Sequence, residues 1–124
     1  MQWQKNMHLI DANVILRYAL NDNPEMAKQA AEIIISGAYT KPEVIAEVIY
    51  VLKKVYGMQR EDIRNIIRNI STIVHLENAN CVLLAMDIYA TVSLDFVDCL
   101  LIAYHRINKE NIFSFDKKLN RHLD

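Results

Sequence analysis

Apolar residues in this chain form short continuous runs that alternate with stripes of helical spacing. The runs lie at residues 7–10, 38–40, 72–76 and 111–115. Short apolar runs bounded by turns or helices are typical of buried strands. Between the runs, apolar residues recur every three or four positions, as at Ile63, Ile66, Ile67 and Ile70. The alternation predicts an α/β fold: a three-layer sandwich with a short central parallel sheet of about four strands and helices on both faces.

Turn and capping residues set the expected bounds of seven helices. Pro24 stands at a helix start, and Gly37 follows a helix at the position where a left-handed residue ends it. Asn78 or Asn80 is expected to cap the fifth helix, and Ser93 the sixth. The predicted helices span residues 13–20, 25–35, 41 to the stop at Gly57, 59–70, 81–90, 94–107 and 117–123. The whole chain, residues 1–124, is predicted to form a single domain, in which residues 1–6 are an N-terminal extension.

Four acidic residues stand in or beside apolar segments, where an unpaired carboxylate is costly. Asp11 and Asp116 each end a predicted strand, Glu47 lies by helical spacing within an apolar stripe, and Asp98 lies in an apolar helical segment. Asp95 precedes Asp98 by three positions and shares its helix face. Parallel strands gather such groups at their carboxyl ends, and oxygen-only ligands select Mg²⁺ or Mn²⁺. The pattern predicts a metal-dependent enzyme.

Simpler roles fit some of these acids taken singly. Asp11 and Asp116 suit helix N-caps, and Asp95 suits a first-turn charge favoured by the helix dipole. Glu47 and Asp98 carry the metal hypothesis, because neither a cap nor a solvated position explains a carboxylate on an apolar face.

Composition narrows the function classes. The net charge of −1 gives no strong overall field to attract nucleic acid, so RNA binding would depend on local patches. Cys81 and Cys99 lack metal-type spacing and are expected to be buried free thiols. No apolar stretch is long enough for a membrane span and residues 1–6 lack a signal-peptide core, so a cytoplasmic location is expected.

Four segments in order resemble the PIN domain family and, within it, the VapC-type toxins of toxin–antitoxin pairs. The segments are residues 9–17 (LIDANVILR), 44–48 (VIAEV), 95–103 (DFVDCLLIA) and 112–119 (IFSFDKKL). They extend from residue 8 to about residue 119 when the flanking positions are included. Each segment alone is a weak signal, but their order and spacing in so short a chain are specific.

The resemblance implies a metal-dependent endoribonuclease and assigns a role to each matching residue. It makes Asp11, Glu47, Asp98 and Asp116 the acidic set around Mg²⁺ or Mn²⁺, with Asp95 as an accessory acid, Asn13 orienting the first aspartate and Ser114 as a supporting hydroxyl. It also implies a homodimer and a small antitoxin whose tail blocks the site. The chain departs from many relatives by ending at Asp124 without a further strand, which would leave the sheet short or paired with a partner.

Three cations are candidates for RNA contact, and two other functions stay open. Arg17, Lys117 and Lys118 stand near the acidic motifs, although a solvated helix face explains Arg17 equally well. The chain could instead be an inactive PIN-like binding module. A receiver-type phosphoacceptor domain that binds Mg²⁺ is the weaker alternative. This chain lacks the matching lysine in the turn after the fourth predicted strand, and a receiver domain would leave Glu47 unexplained.

Overall fold

The computed structural model describes residues 6–123, which form three short strands and seven helices. The strands are β1 (His8–Leu9), β2 (Ala38–Thr40) and β3 (His75–Leu76). The helices are α1 (Ala12–Leu20), α2 (Pro24–Ser36), α3 (Pro42–Lys54), α4 (Arg60–Ser71), α5 (Ala79–Thr91), α6 (Phe96–Asn108) and α7 (Lys117–Asn120). The predicted α/β sandwich is confirmed. Most of the predicted N-terminal extension, residues 1–5, lies outside the described residues.

The three strands form a parallel sheet in the order β1-β2-β3. His8 aligns with Ala38, and Tyr39 aligns with His75. Thr40 is completely buried, and its hydroxyl donates to the carbonyl of Ile10 at 3.1 Å. This bond ties β2 to the point where the chain leaves β1. It therefore fixes the backbone immediately before Asp11.

The predicted fourth strand at residues 111–115 is wrong. The segment pairs with no strand of the described chain, and the side chains of Phe113 and Phe115 are 83% and 89% exposed. Local hydrogen bonds hold it instead: the backbone N–H of Asp116 donates to Ser114 Oγ at 2.9 Å, and Asn120 Nδ2 donates to the Ser114 carbonyl at 2.8 Å. Such side-chain contacts compete with strand pairing. The sheet therefore has three strands rather than four.

Several predicted bounds also move. Helix α6 begins at Phe96 rather than Leu94, because Asp95 and not Ser93 caps it. The third strand is His75–Leu76, shorter than the predicted 72–76, and α7 ends at Asn120 rather than Leu123. Gly37 ends α2 as expected with a positive φ of 115°, although its ψ of 112° is not that of a left-handed helical residue.

The core lies between the sheet and the helices, and α5 packs against both α4 and α6. Ile63, Ile67 and Ile70 bury one face of α4 as their spacing predicts. Arg60, the first residue of that helix, donates from Nη1 to the carbonyls of Tyr89, Val92 and Leu94, at 2.9, 3.0 and 2.6 Å. This contact anchors the link between α5 and α6. No helix within residues 6–123 is long and apolar enough to cross a membrane.

Candidate functional site

Two of the predicted acids meet at the start of α6. Asp95 is the N-cap residue, and its Oδ1 accepts from the backbone N–H of Asp98 at 3.0 Å. Asp98 follows in the first helical turn and is half-buried. The sequence placed both on one helix face, whereas Asp95 lies just outside the helix. Capping nevertheless brings its carboxylate next to that of Asp98.

Asp116 belongs to the same electrostatic environment. Burial raises the pKa of Asp98, and the negative charges of Asp95 and Asp116 raise it further, as does a side-chain hydrogen bond with Asp95. Asp98 is thus a carboxyl whose charge is opposed by two neighbouring acids. We define Asp95, Asp98 and Asp116 as the acidic cluster.

The interpretation of Asp11 and Asp116 as helix caps is confirmed by their geometry. Asp116 Oδ1 accepts from the backbone N–H groups of Lys118 and Leu119 at 2.8 and 3.1 Å. Asp11 Oδ1 accepts from Val14 N–H at 3.1 Å. Both side chains are exposed, so capping leaves each carboxylate at the protein surface. A cap and a ligand role are compatible, because these contacts use one oxygen of each carboxyl group.

Glu47 does not lie on a buried face, contrary to the sequence interpretation. The buried side of α3 carries Ile45, Val48, Ile49 and Leu52, and Glu47 is exposed. The predicted apolar stripe included Val44, Val51 and Val55, which the fold leaves partly or largely exposed, so its phase was wrong by about one position. The burial argument for a metal ion therefore applies to Asp98 and not to Glu47.

Glu47 instead borders a cleft of about 300 Å³ between α1 and α3. Asn13, Arg17, Asp22 and Tyr56 also line this cleft. Glu47 and Asn13, two of the predicted site residues, thus face one cavity. Asn13 is exposed there and is not hydrogen-bonded to Asp11 in any described contact.

Arg17 has a partner in the cleft that the sequence did not reveal. Its Nη1 lies 3.3 Å from Asp22 Oδ1, and the Tyr56 hydroxyl donates to Asp22 Oδ2 at 3.3 Å. Its Nε is buried without a hydrogen-bond partner in the described structure. Asp22 is exposed and carries no motif that marks it in the sequence, and the left-handed residue Asn21, with φ of 50°, turns it back towards α1.

The two candidate lysines differ in their surroundings. Lys117 is exposed. The ammonium group of Lys118 donates to the carbonyl of Ser93, which joins α7 to the segment just before Asp95. Lys118 therefore helps to hold Asp116 close to the start of α6.

The acidic cluster suits a hard divalent cation in chemistry and charge. Its donors are carboxylate oxygens, which Mg²⁺ and Mn²⁺ prefer, and the negative charges of Asp95 and Asp116 lie near the partly buried Asp98. The predicted set of four does not converge, since no group of three or more His, Cys, Asp or Glu side chains within residues 6–123 is arranged to hold a metal ion. Mg²⁺ commonly binds through one or two carboxylates together with water and substrate phosphates. The acidic cluster can provide the carboxylates.

A model of the family described as PIN domain matches residues 8–122 of the chain. The match includes all the residues of the acidic cluster as well as Asp11 and Glu47. Neither the curated proteins nor the solved structures gave a match.

Proposed function

The chain belongs to the PIN domain family, and we propose that it is an endoribonuclease that requires Mg²⁺ or Mn²⁺ to hydrolyse RNA phosphodiester bonds. PIN domains are usually nucleases, which supports a hydrolase of this general kind. The observation that carries the proposal is the acidic cluster, in which burial and the negative charges of Asp95 and Asp116 raise the pKa of Asp98. Perturbed carboxyl groups of this type mark candidate catalytic sites.

Each predicted acid has a distinct proposed role. Asp98 and Asp116 are the principal ligands, and Asp95 orients Asp98 through the α6 cap. Asp11, at the carboxyl end of β1, and Glu47, on α3, are the remaining proposed ligands. A divalent cation bound there would neutralise the phosphodiester and lower the pKa of the attacking water.

The chain's own residues supply the remaining chemistry. The carboxylates of the acidic set hold the cation and assist in deprotonating the attacking water. Ser114 fixes the backbone at Asp116 through the 2.9 Å bond to its N–H. Lys117 and Arg17 are the proposed contacts to RNA phosphates, and Arg17 would give up its ion pair with Asp22 to make one. Lys118 positions Asp116.

An RNA cleavage assay tests the enzymatic role. The parent should cleave structured RNA in Mg²⁺ or Mn²⁺ and stop when the metal is chelated, and Asp98→Asn and Asp11→Asn should lose activity. Glu32→Gln, an exposed change on α2, is the matched control. Full activity of Asp98→Asn would contradict the site. Absence of cleavage by the parent across several RNA types would favour a PIN-like binding module instead.

We also propose the more specific role of a VapC-type toxin acting in the cytoplasm as a homodimer, inhibited by a cognate antitoxin. The four ordered sequence segments support this role. Co-expression with the product of the adjacent gene, followed by purification, tests it: a small partner that co-purifies and abolishes RNA cleavage is the expected result. An adjacent gene product that neither binds nor inhibits would contradict the toxin role.

A further inference from the structure

Two aromatic rings project from the surface directly before Asp116. Phe113 and Phe115 are 83% and 89% exposed, and their ring centroids lie 5.0 Å apart at an interplanar angle of 81°. An edge-to-face pair of this kind leaves ring faces open to solvent. We call this pair the aromatic platform.

The backbone beneath the platform is held at the residue between the two rings. Ser114 accepts from Asp116 N–H through its hydroxyl and from Asn120 Nδ2 through its carbonyl, at 2.9 and 2.8 Å. These bonds fix the segment to the start of α7. The backbone that carries the rings is therefore ordered before binding, so a ligand that stacks on them costs little conformational entropy.

Cations follow the platform along the chain. Lys117 and Arg121 are exposed within six residues of Phe115. Aromatic faces beside positive charges are the combination that binds single-stranded nucleic acid, with bases stacked on rings and phosphates near cations. We propose that unpaired bases of an RNA strand stack on the aromatic platform, which positions the neighbouring phosphodiester near Asp116.

The two rings of the platform are by themselves too small to form a stable protein interface. Two phenylalanine side chains expose far less than the about 800 Å² per partner that a stable interface buries. A ribonucleotide base needs only one ring face. The proposal rests on the proposed ribonuclease function for its substrate, but it concerns binding and not cleavage.

The test measures RNA binding without cleavage. Full-length protein carrying Asp98→Asn is titrated in Mg²⁺ against a fluorescent single-stranded oligoribonucleotide and against the same strand with abasic sites. Phe115→Ala should weaken binding to the intact strand by about tenfold. Phe115→Tyr should bind the intact strand as tightly as the protein with Phe115. Phe115→Leu, which keeps an apolar side chain without a ring, should weaken binding as Phe115→Ala does. Tyr50→Ala removes another exposed aromatic residue and should change nothing.

Thermal unfolding of each variant checks folding, which should be unaffected because both rings lie outside the core. Equal affinity of Phe115→Ala and its parent, or an equal loss on the abasic strand, would overturn the proposal. A dimer that Phe115→Ala converts to monomer would overturn it too, since a second copy would then cover the rings. If binding of the strand depends on Phe115 but the protein with Asp98 intact cleaves no RNA, the proposed role of the aromatic platform is supported and the proposed nuclease activity is refuted.

Discussion

The guanidinium of Arg60 donates to the carbonyl of Leu94 at 2.6 Å, one residue before the acidic cluster begins. The same group lies 4.2 Å above the ring of Tyr89 and also binds the carbonyls of Tyr89 and Val92. One side chain of α4 thereby satisfies the carbonyl groups at the end of α5 and in the link to α6. The position of Asp95 thus depends on a residue 35 places earlier in the chain.

Arg60→Met should destabilise the protein by about 2–3 kcal/mol, because carbonyls bonded to a charged donor lose their partner. It should also weaken the stabilisation that Mg²⁺ provides, since the start of α6 loses its anchor. Urea unfolding with and without Mg²⁺ measures both effects. Arg64→Met is the matched control on the same helix: it removes a 3.8 Å ion pair with exposed Glu61 and an exposed 3.3 Å hydrogen bond to Asn65 Oδ1, and it should cost under about 0.5 kcal/mol. Equal losses in the two variants would refute the anchoring role.

Asp98→Asn should raise the melting temperature of the metal-free protein by a few degrees at neutral pH. The raised pKa means that folded Asp98 holds its proton at pH values where the unfolded chain has lost it. The folded state therefore binds more protons, and stability falls as pH rises through the folded pKa. The asparagine mimics the protonated form, so its advantage should shrink as pH falls through that pKa.

Calorimetry or fluorescence melts in EDTA across acid to neutral pH check this dependence, with Glu32→Gln as a surface control. Mg²⁺ should then stabilise the parent more than Asp98→Asn, because binding to the folded state adds to its stability. An Asp98→Asn melting curve that tracks the parent at every pH would contradict the electrostatic account. If neither Mg²⁺ nor Mn²⁺ changes the melting temperature of either protein, the proposed metal site is refuted.

The helices and the parallel sheet were predictable because their signals are local. The spacing of Ile63, Ile67 and Ile70 specifies the buried face of α4 whatever it packs against. The run at residues 112–115 carries an equally local signal, yet it forms no strand. Pairing depends on a neighbouring strand in space, and a short apolar run does not contain that information.

The candidate site was predictable to the same degree. The spacing of three residues predicted that Asp95 and Asp98 lie together, but the cap of α6 was assigned to Ser93 and is Asp95. Glu47 was misassigned because one position of error in helical phase turns a buried face into an exposed one. Asp22 was missed because its contact with Arg17 depends on the left-handed turn at Asn21, with φ of 50°.

Thr40→Val should destabilise the protein by about 1–2 kcal/mol, since the buried carbonyl of Ile10 loses its hydroxyl donor while the side-chain shape is kept. RNA cleavage should fall as well, because Ile10 is the residue before Asp11. Thr72→Val removes an exposed hydroxyl that bonds the Asn69 carbonyl and should leave stability and cleavage nearly unchanged. Urea unfolding and the cleavage assay measure these effects, and equal behaviour of the two variants would refute the role of Thr40.

Cys99 should make the protein less stable at alkaline pH. It is a buried free thiol, as the sequence predicted, and burial raises its pKa to about 12 with a smaller contribution from the negative charges of Asp95 and Asp98, against the opposing charge of Arg60. The folded state keeps the proton that the unfolded thiol releases near pH 9, so stability falls as pH rises from about 9 towards 12. Cys99→Ala lacks this proton linkage, so the parent's advantage in unfolding free energy over Cys99→Ala should narrow between pH 8 and about pH 10.5 in urea titrations. Cys81→Ala is the comparison variant: burial also raises the pKa of Cys81, but Asp98 does not contribute to that shift as it does for Cys99. A constant difference between parent and Cys99→Ala across this range, or rapid reaction of native Cys99 with a thiol reagent at pH 8, would contradict the assignment.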